Sequence, residues 1–263
     1  MEIKILFSIV TITRNNRAGL AKTAASIKNQ SCKDFSWIII DGDSGDGSQD
    51  DFKNYADLAL IVSEPDEGIY DAMNKGITLA DGDYTLFLNA GDTLASPDTL
   101  EKIKEAMSAH YPDFMYGDAL EETSSKHTIF KPARPHTTIT QGMFTHHQAM
   151  LYKTQKLADY RFNPHFTIAA DYDLTFRFLE DGANTLYIPH PVCLFEKDGI
   201  SQRAAKVGRQ EQFEAKRHKI PLLQNILIYI RQTLSQFVKD AAPSLYWKLR
   251  GASWSHPQSS GNT

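Results

Sequence analysis

Apolar runs of strand length alternate with segments of helical period along the first part of the chain. Residues 4–13 (KILFSIVTIT) and 35–40 (FSWIII) are apolar almost throughout, as expected of parallel strands buried on both faces. Residues 57–62, 84–88 and 113–120 read as further strands. Between them the spacing predicts helices over 17–29, 69–80 and 100–109, the last opening at Ser96-Pro97-Asp98 with a cap and a proline in the first turn. Strand, helix and strand in succession predict an α/β domain with a nucleotide-binding βαβ opening.

The strands end on polar loops. Thr11, Thr13 and Arg14 lie at the end of the first, Asp41-Gly42-Asp43-Ser44-Gly45-Asp46-Gly47-Ser48 follows the second, and Asn89-Ala90-Gly91-Asp92 follows the strand 84–88. Acidic loops delivered at the carboxyl ends of strands are the usual ligand site of an α/β sheet. Two features have a local alternative: Asp46-Gly47-Ser48 reads equally as a helix cap, and Asp66 as an acceptor for free amides at the start of the helix 69–80. That helix places Tyr70, Asn74 and Ile77 on one side and Asp71, Lys75 and Thr78 on another. Asp118 reads as a turn acid in preference to a residue that supports the site.

Beyond residue 120 the pattern loosens. Residues 121–140, with Lys131, Arg134, His136 and breaks at Pro132 and Pro135, read as a long loop or hairpin able to cover a ligand. Residues 143–152 read as a strand on which His146 and His147 point to opposite faces, so only one, His147, reaches the site. A helix begins near Asp171, whose acid the helix dipole also favours, and runs to about residue 179. Residues 185–195 read as a closing strand that Pro189 and Pro191 place at an edge. Arg203, Lys206 and Arg209 fall on a following helix.

From 220 to 250 the pattern changes to one apolar helical stripe, Leu222, Leu223, Ile226, Leu227, Ile230, Leu234 and Phe237, flanked by Arg217, Lys219, Arg231, Lys239, Lys248 and Arg250 with Tyr246 and Trp247. A membrane surface, a second copy of the chain and the chain's own domain are all suitable partners for such a face. The expected division is 1–219 as the main domain, 220–250 as a helical extension and 251–263 as a disordered tail, whose WSHPQ resembles part of an affinity tag.

Composition narrows the class. The chain has 263 residues, 41% hydrophobic and 23% charged, with a formal net charge of −4, which are ordinary globular values. No basic face for nucleic acid is evident. The two cysteines, Cys32 and Cys193, carry no metal-ligand or disulfide spacing, which fits a reducing cytoplasm. The apolar amino terminus is too short to span a bilayer and lacks a signal-cleavage pattern.

The segment Asp66-Glu67-Gly68-Ile69-Tyr70-Asp71-Ala72-Met73-Asn74-Lys75-Gly76, followed by Asn89-Ala90-Gly91-Asp92, resembles glycosyltransferase family 2, whose members share the GT-A fold. The first matches a D-x-G-x-x-x-A-x-N-x-G pattern. The second stands where that family carries a DxD-like signature, with Asn89 and Gly91 in place of acids. His147-Gln148 is similar to the family's H-Q strand, Ala170-Asp171-Tyr172-Asp173-Leu174 with Arg177 to its E-D-x-[DE]-L-x-x-R segment without the first acid, and Lys197-Asp198-Gly199-Ile200-Ser201 to its G-G-x-S loop. The resemblance spans roughly the first two hundred residues.

It implies a GT-A fold with a Rossmann-like mixed central sheet flanked by helices. It implies an inverting transferase that moves a sugar from a nucleotide-diphosphate sugar, a UDP-sugar, to a hydroxyl of a glycan or lipid-linked acceptor in bacterial cell-surface polysaccharide synthesis (lipopolysaccharide or capsule). Thr11, Thr13, Arg14, Asp41, Ser44, Asp66, Tyr70, Asn74, Lys75, Asn89, Ala90 and Gly91 would then hold the donor. Asp92 would hold a divalent cation, Mn²⁺ or Mg²⁺, against the diphosphate, His147 and Gln148 would face the acceptor, and Asp171 would be the base. The location expected is the cytoplasm, at the inner face of the plasma membrane if 220–250 binds lipid. The competing reading is an inactive nucleotide-sugar or glycan binding module. A Rossmann oxidoreductase is excluded because no GxGxxG follows the first strand.

Overall fold

A computed structural model describes residues 5–107, 111–122, 127–196 and 204–242. The 197–201 loop, Arg203, the basic and aromatic residues from 246 to 250 and the tail fall outside the described residues. The chain forms two compact units, Met1–Gln212 and Phe213–Thr263.

In the first unit, described strands form one mixed nine-stranded sheet. The strands are β1 (Phe7–Thr13), β2 (Phe35–Asp41), β3 (Ala59–Ser63), β4 (Tyr84–Phe87), β5 (Thr93–Leu94), β6 (Phe114–Glu122), β7 (Thr128–Lys131), β8 (Met150–Lys153) and β9 (Thr185–Glu196). Their order is β3-β2-β1-β4-β8-β6-β9-β5, with β7 pairing β6. The half β3-β2-β1-β4 is parallel, and β8 joins β4 and β6 antiparallel to both. All seven residues of β1 are buried, Ser8, Thr11 and Thr13 included, as expected of a parallel strand covered on both faces.

Helices α1 (Arg17–Lys28), α2 (Ile69–Leu79), α3 (Thr99–Met107), α4 (Thr154–Tyr160), α5 (Ala170–Glu180) and α6 (Ala205–Ala215) connect and flank the strands. Helix α2 lies directly on β1: a Cβ at Gly76 would stand 2.3 Å from Val10 Cγ1, so only glycine permits this approach.

Four expectations change. The strand expected over 57–62 starts later, because Leu58 and Ala59 donate to the Tyr55 carbonyl and close a turn first. The strand expected over 143–152 shrinks to β8, preceded by a 3₁₀ turn at His147–Ala149. The 121–140 segment contains a β6-β7 hairpin and a 3₁₀ turn at His136–Gln141. In β9, Pro189 sits where the register with β6 shifts, and β5 pairs only Cys193 and Leu194. Strand β9, expected at an edge, thus lies between β6 and β5, but over Pro189 and Pro191 it pairs with β6 alone.

In the second unit, helix α7 (Leu222–Ala241) leaves its apolar stripe from Leu222 to Phe237 exposed. Asn225 Nδ2 donates to the Phe213 carbonyl at 2.8 Å, and the Phe213 and Tyr229 rings meet edge-on. No helix among the described residues is long and apolar enough to cross a membrane.

Candidate active site

The parallel strands β1, β2 and β4 end side by side, so their polar loops converge. Asp41, fully buried, is consumed by its own turn: it accepts from the Ser44 amide at 3.0 Å, from Ser44 Oγ, and from Ser63 Oγ at 2.7 Å. Ser44 Oγ in turn accepts from the Asn15 amide. Asp66 Oδ1 accepts from the Gly68 amide at 3.0 Å, while its Oδ2 lies against Gly42, where a Cβ would meet it at 2.2 Å. Asp66 thus closes the turn before α2, which has no side-chain cap, and stands beside the Asp41 loop. Arg14 is exposed at the same rim, and Thr13 Oγ1 is buried without a hydrogen-bond partner.

Other residues expected to hold the donor are occupied inside the protein. Thr11 Oγ1 accepts from Trp37 Nε1 at 2.9 Å. Lys75 pairs with Glu64 at 2.8 Å and donates to the Pro65 carbonyl. Asn74 engages both backbone groups of Phe162, donating to its carbonyl at 2.9 Å and accepting from its amide at 2.8 Å. Tyr70, buried, donates to the Ile168 carbonyl at 2.7 Å, and burial pushes its hydroxyl pKa far up, so it remains a neutral donor. Tyr70 and Asn74 thereby brace the segment that delivers Asp171.

Asp171 stands in the first turn of α5 with Asp173. Its Oδ1 accepts from the Tyr172 amide and lies 3.4 Å from Tyr70 Oη. Its Oδ2 lies 3.5 Å from His147 Nδ1, and His147 Nε2 lies 3.4 Å from Asn89 Nδ2. This chain of contacts links the end of β4, the turn before β8 and the start of α5. The Asp171 and His147 side chains are 20% and 18% exposed, enough for a substrate to reach them. Asp173 is turned into an ion pair with Arg177, whose Nε and Nη2 each lie 2.9 Å from its Oδ2. His146 points away to Glu121, which also pairs with Lys131. Burial pushes Glu121 upward, but these partners outweigh it and hold the carboxyl down at about 2.

The Asn89–Asp92 loop is held from α1. Asn16 Nδ2 donates to the Ala90 carbonyl at 3.0 Å, while Thr23 Oγ1 donates to the Asp92 carbonyl at 2.7 Å and accepts from the Gly91 amide. Asp92, expected to meet the cation, is buried with both carboxylate oxygens engaged, Oδ2 by Gln148 Nε2 at 2.7 Å and Oδ1 by the Glu196 amide at 2.9 Å. Burial raises its pKa to about 6 against the opposing pull of these hydrogen bonds. Gln148, expected near the acceptor, is likewise buried beneath this loop.

The described residues contain no group of three or more His, Cys, Asp or Glu arranged to hold a metal. Two oxygen donors remain at the loop, however: the buried, unpartnered Asn89 Oδ1 and the Glu196 carboxylate lying over Gly91. Hard oxygen donors of this kind, completed by donor phosphates, fit Mg²⁺ or Mn²⁺.

Sequence reasoning missed three supporting acids. Glu196 and Glu121 come from strands distant in sequence. Glu211 on α6 accepts from the amides of Thr167, Ile168 and Ala169 at 2.7–2.8 Å, fixing the entry to α5. Only their acidic type was visible; no local pattern marks them.

The Glycosyl transferase family 2 model matches residues 8–170. A PGL/p-HBAD biosynthesis glycosyltransferase of Mycobacterium bovis is 37% identical over 125 residues, 46% of this chain and 49% of that protein. The chain thus spans about half the length of that curated relative. The amylovoran biosynthesis glycosyltransferase AmsB of Erwinia amylovora is 25% identical over 72% of this chain and 68% of its own. Among solved structures, S. aureus TarS 1-349 in complex with UDP-GlcNAc superposes with a TM-score of 0.67 at 16% identity, over 92% of this chain and 77% of that one. Mannosyltransferase PcManGT from Pyrobaculum calidifontis, in complex with GDP-Man and Mn²⁺, gives 0.64 at 16%, over 97% and 77%. These likenesses show the GT-A fold.

Proposed function

The chain belongs to glycosyl transferase family 2, and from that premise we propose that it transfers a sugar from a nucleotide-diphosphate donor, a UDP-sugar, to a hydroxyl of a glycan or lipid-linked glycan. The reaction inverts the anomeric centre and serves cell-surface polysaccharide or glycolipid assembly. One observation carries the reading: a partly exposed Asp171 carboxylate connects through His147 to Asn89 at the end of β4.

Asp171 takes the proton of the acceptor hydroxyl as its oxygen attacks the anomeric carbon and the bond to the diphosphate breaks. The first turn of α5, the Tyr172 amide and His147 hold that carboxylate in place. Arg14, Asp66 and the Asn89–Asp92 loop line the donor side. Asn89 Oδ1 and the Glu196 carboxylate are the groups that would hold a divalent cation there, which would supply positive charge against the leaving diphosphate. The stripe on α7 is proposed to rest on a membrane surface, where a lipid-linked acceptor would be found.

Thermal unfolding of the whole chain with a panel of nucleotide sugars, with and without Mn²⁺, tests the donor reading. A UDP-sugar should raise the midpoint most. If no nucleotide sugar protects, the reading fails; if one binds but is neither transferred nor hydrolysed, the chain is a binding module.

A further inference from the structure

The second acidic position of the loop signature is empty in this chain, and another strand fills the space. Gly91 has φ +107°, a conformation in which an L side chain would be strained. A Cβ there would lie 2.4 Å from Glu196 Oε2, so the Glu196 carboxylate occupies the place where a side chain at 91 would begin. Its placement is built in from the backbone: β9 pairs with β5 through Thr93↔Leu194 and with β6 through Glu122↔Glu196. Asp92 Oδ1 then captures the Glu196 amide at 2.9 Å.

The side chain so placed is about half exposed. Among the described residues its nearest cation is Lys22, at 3.9 Å, and that ammonium is committed to Glu122 at 2.7 Å. On the same loop Asn89 Oδ1 is a buried carbonyl oxygen with no hydrogen-bond partner, an arrangement that is costly until a cation or donor arrives. Asp92 differs in being buried, with a hydrogen bond already on each of its oxygens.

We propose that Glu196 is the carboxylate through which this chain meets the cation on the donor diphosphate, and that Asp92 is a positioning residue that sets the end of β9. The proposal rests on the donor reading above. It divides between two residues what the loop sequence suggests for one.

Calorimetric titration of the full chain with UDP, in EDTA and in Mn²⁺, tests it. In the wild type Mn²⁺ should tighten UDP binding. Glu196→Gln should lose at least about tenfold of that Mn²⁺-dependent gain while keeping its affinity in EDTA, and Glu196→Asp should recover part of it. Asp92→Asn should keep most of the gain, because its amide oxygen still accepts from Glu196 while Gln148 can turn its own oxygen to the new amide. An unaltered gain in Glu196→Gln, or its loss in Asp92→Asn alone, overturns the proposal. A wild type that binds UDP equally with and without Mn²⁺ overturns it too but leaves the donor reading standing; one that binds no UDP in either condition removes both.

Discussion

The two halves of the sheet hold their acids in different ways. On the parallel half, Asp41 is satisfied by Ser44, three residues on, and by Ser63 on the neighbouring strand, while Asp66 serves Gly68, two residues on. On the mixed half, Asp171 depends on Tyr70 and His147, and its helix entry on Glu211; Asp92 depends on Gln148 and Glu196. Local closure ties at least one oxygen of each of these carboxylates into its own rim. Assembly from distant elements leaves two carboxylates partly exposed, Asp171 and Glu196, as the proposed base and the proposed cation ligand require.

The strongest way to break this contrast is to exchange the roles of two acids on one helix. Asp171→Asn should lower turnover about 10²- to 10⁴-fold with donor affinity nearly unchanged. Asp173, which a helix turns about 200° away, should behave oppositely. Its neutralisation breaks a pair with Arg177 that is only partly exposed, so the unfolding free energy should fall by about 1–3 kcal/mol while turnover survives. Steady-state kinetics beside urea unfolding of both variants decides it: an active Asp171→Asn removes the assigned base.

Next in size is a pH effect that sets Asp92 against Glu121. Asp92 has a raised pKa, about 6 against an ordinary 3.8. It binds its proton more tightly in the folded chain, so its contribution is complete below pH 3.8 and lost as pH rises through 6. The whole swing is about 3 kcal/mol. Glu121, depressed to about 2 from 4.5, contributes stability above pH 4.5 that is lost as pH falls through 2. Relative to Asp92→Asn, the wild type should therefore gain stability between pH 7.5 and pH 4, and relative to Glu121→Gln it should lose stability between pH 5 and pH 2.5. Urea midpoints across those ranges give the signs, and a flat difference for Asp92 would mean that its carboxyl is not desolvated as its burial indicates.

The smallest effect on the chemistry belongs to the second unit. Replacing Leu227 and Ile230 of the exposed stripe by Asp should abolish sedimentation with anionic vesicles and change turnover on a soluble acceptor less than about twofold. Unchanged sedimentation would remove the membrane from the reading of α7.

Much of this was legible without coordinates where the physics is local. The largely apolar run of β1 and the helical period of α2 announced the parallel half, and the glycines and acids of 41–48 announced its turn. The place of Asp171 in the first turn of a helix was legible because a helix start is a local pattern. Partnership was not legible. Nothing near Asn74 says that it will clasp Phe162, nothing near Asp92 says that both its oxygens will be taken, and a motif cannot show that Glu196 will cover Gly91. The adjacent histidines were expected to diverge as strand neighbours; they do diverge, but from a 3₁₀ turn set by the packing around β8. Sequence alone determined what depends on backbone propensity and the spacing of apolar residues, because those act within a few positions. The tertiary structure decided which carboxylates are spent on the fold and which are free for chemistry, because that follows from contacts between residues up to 104 positions apart.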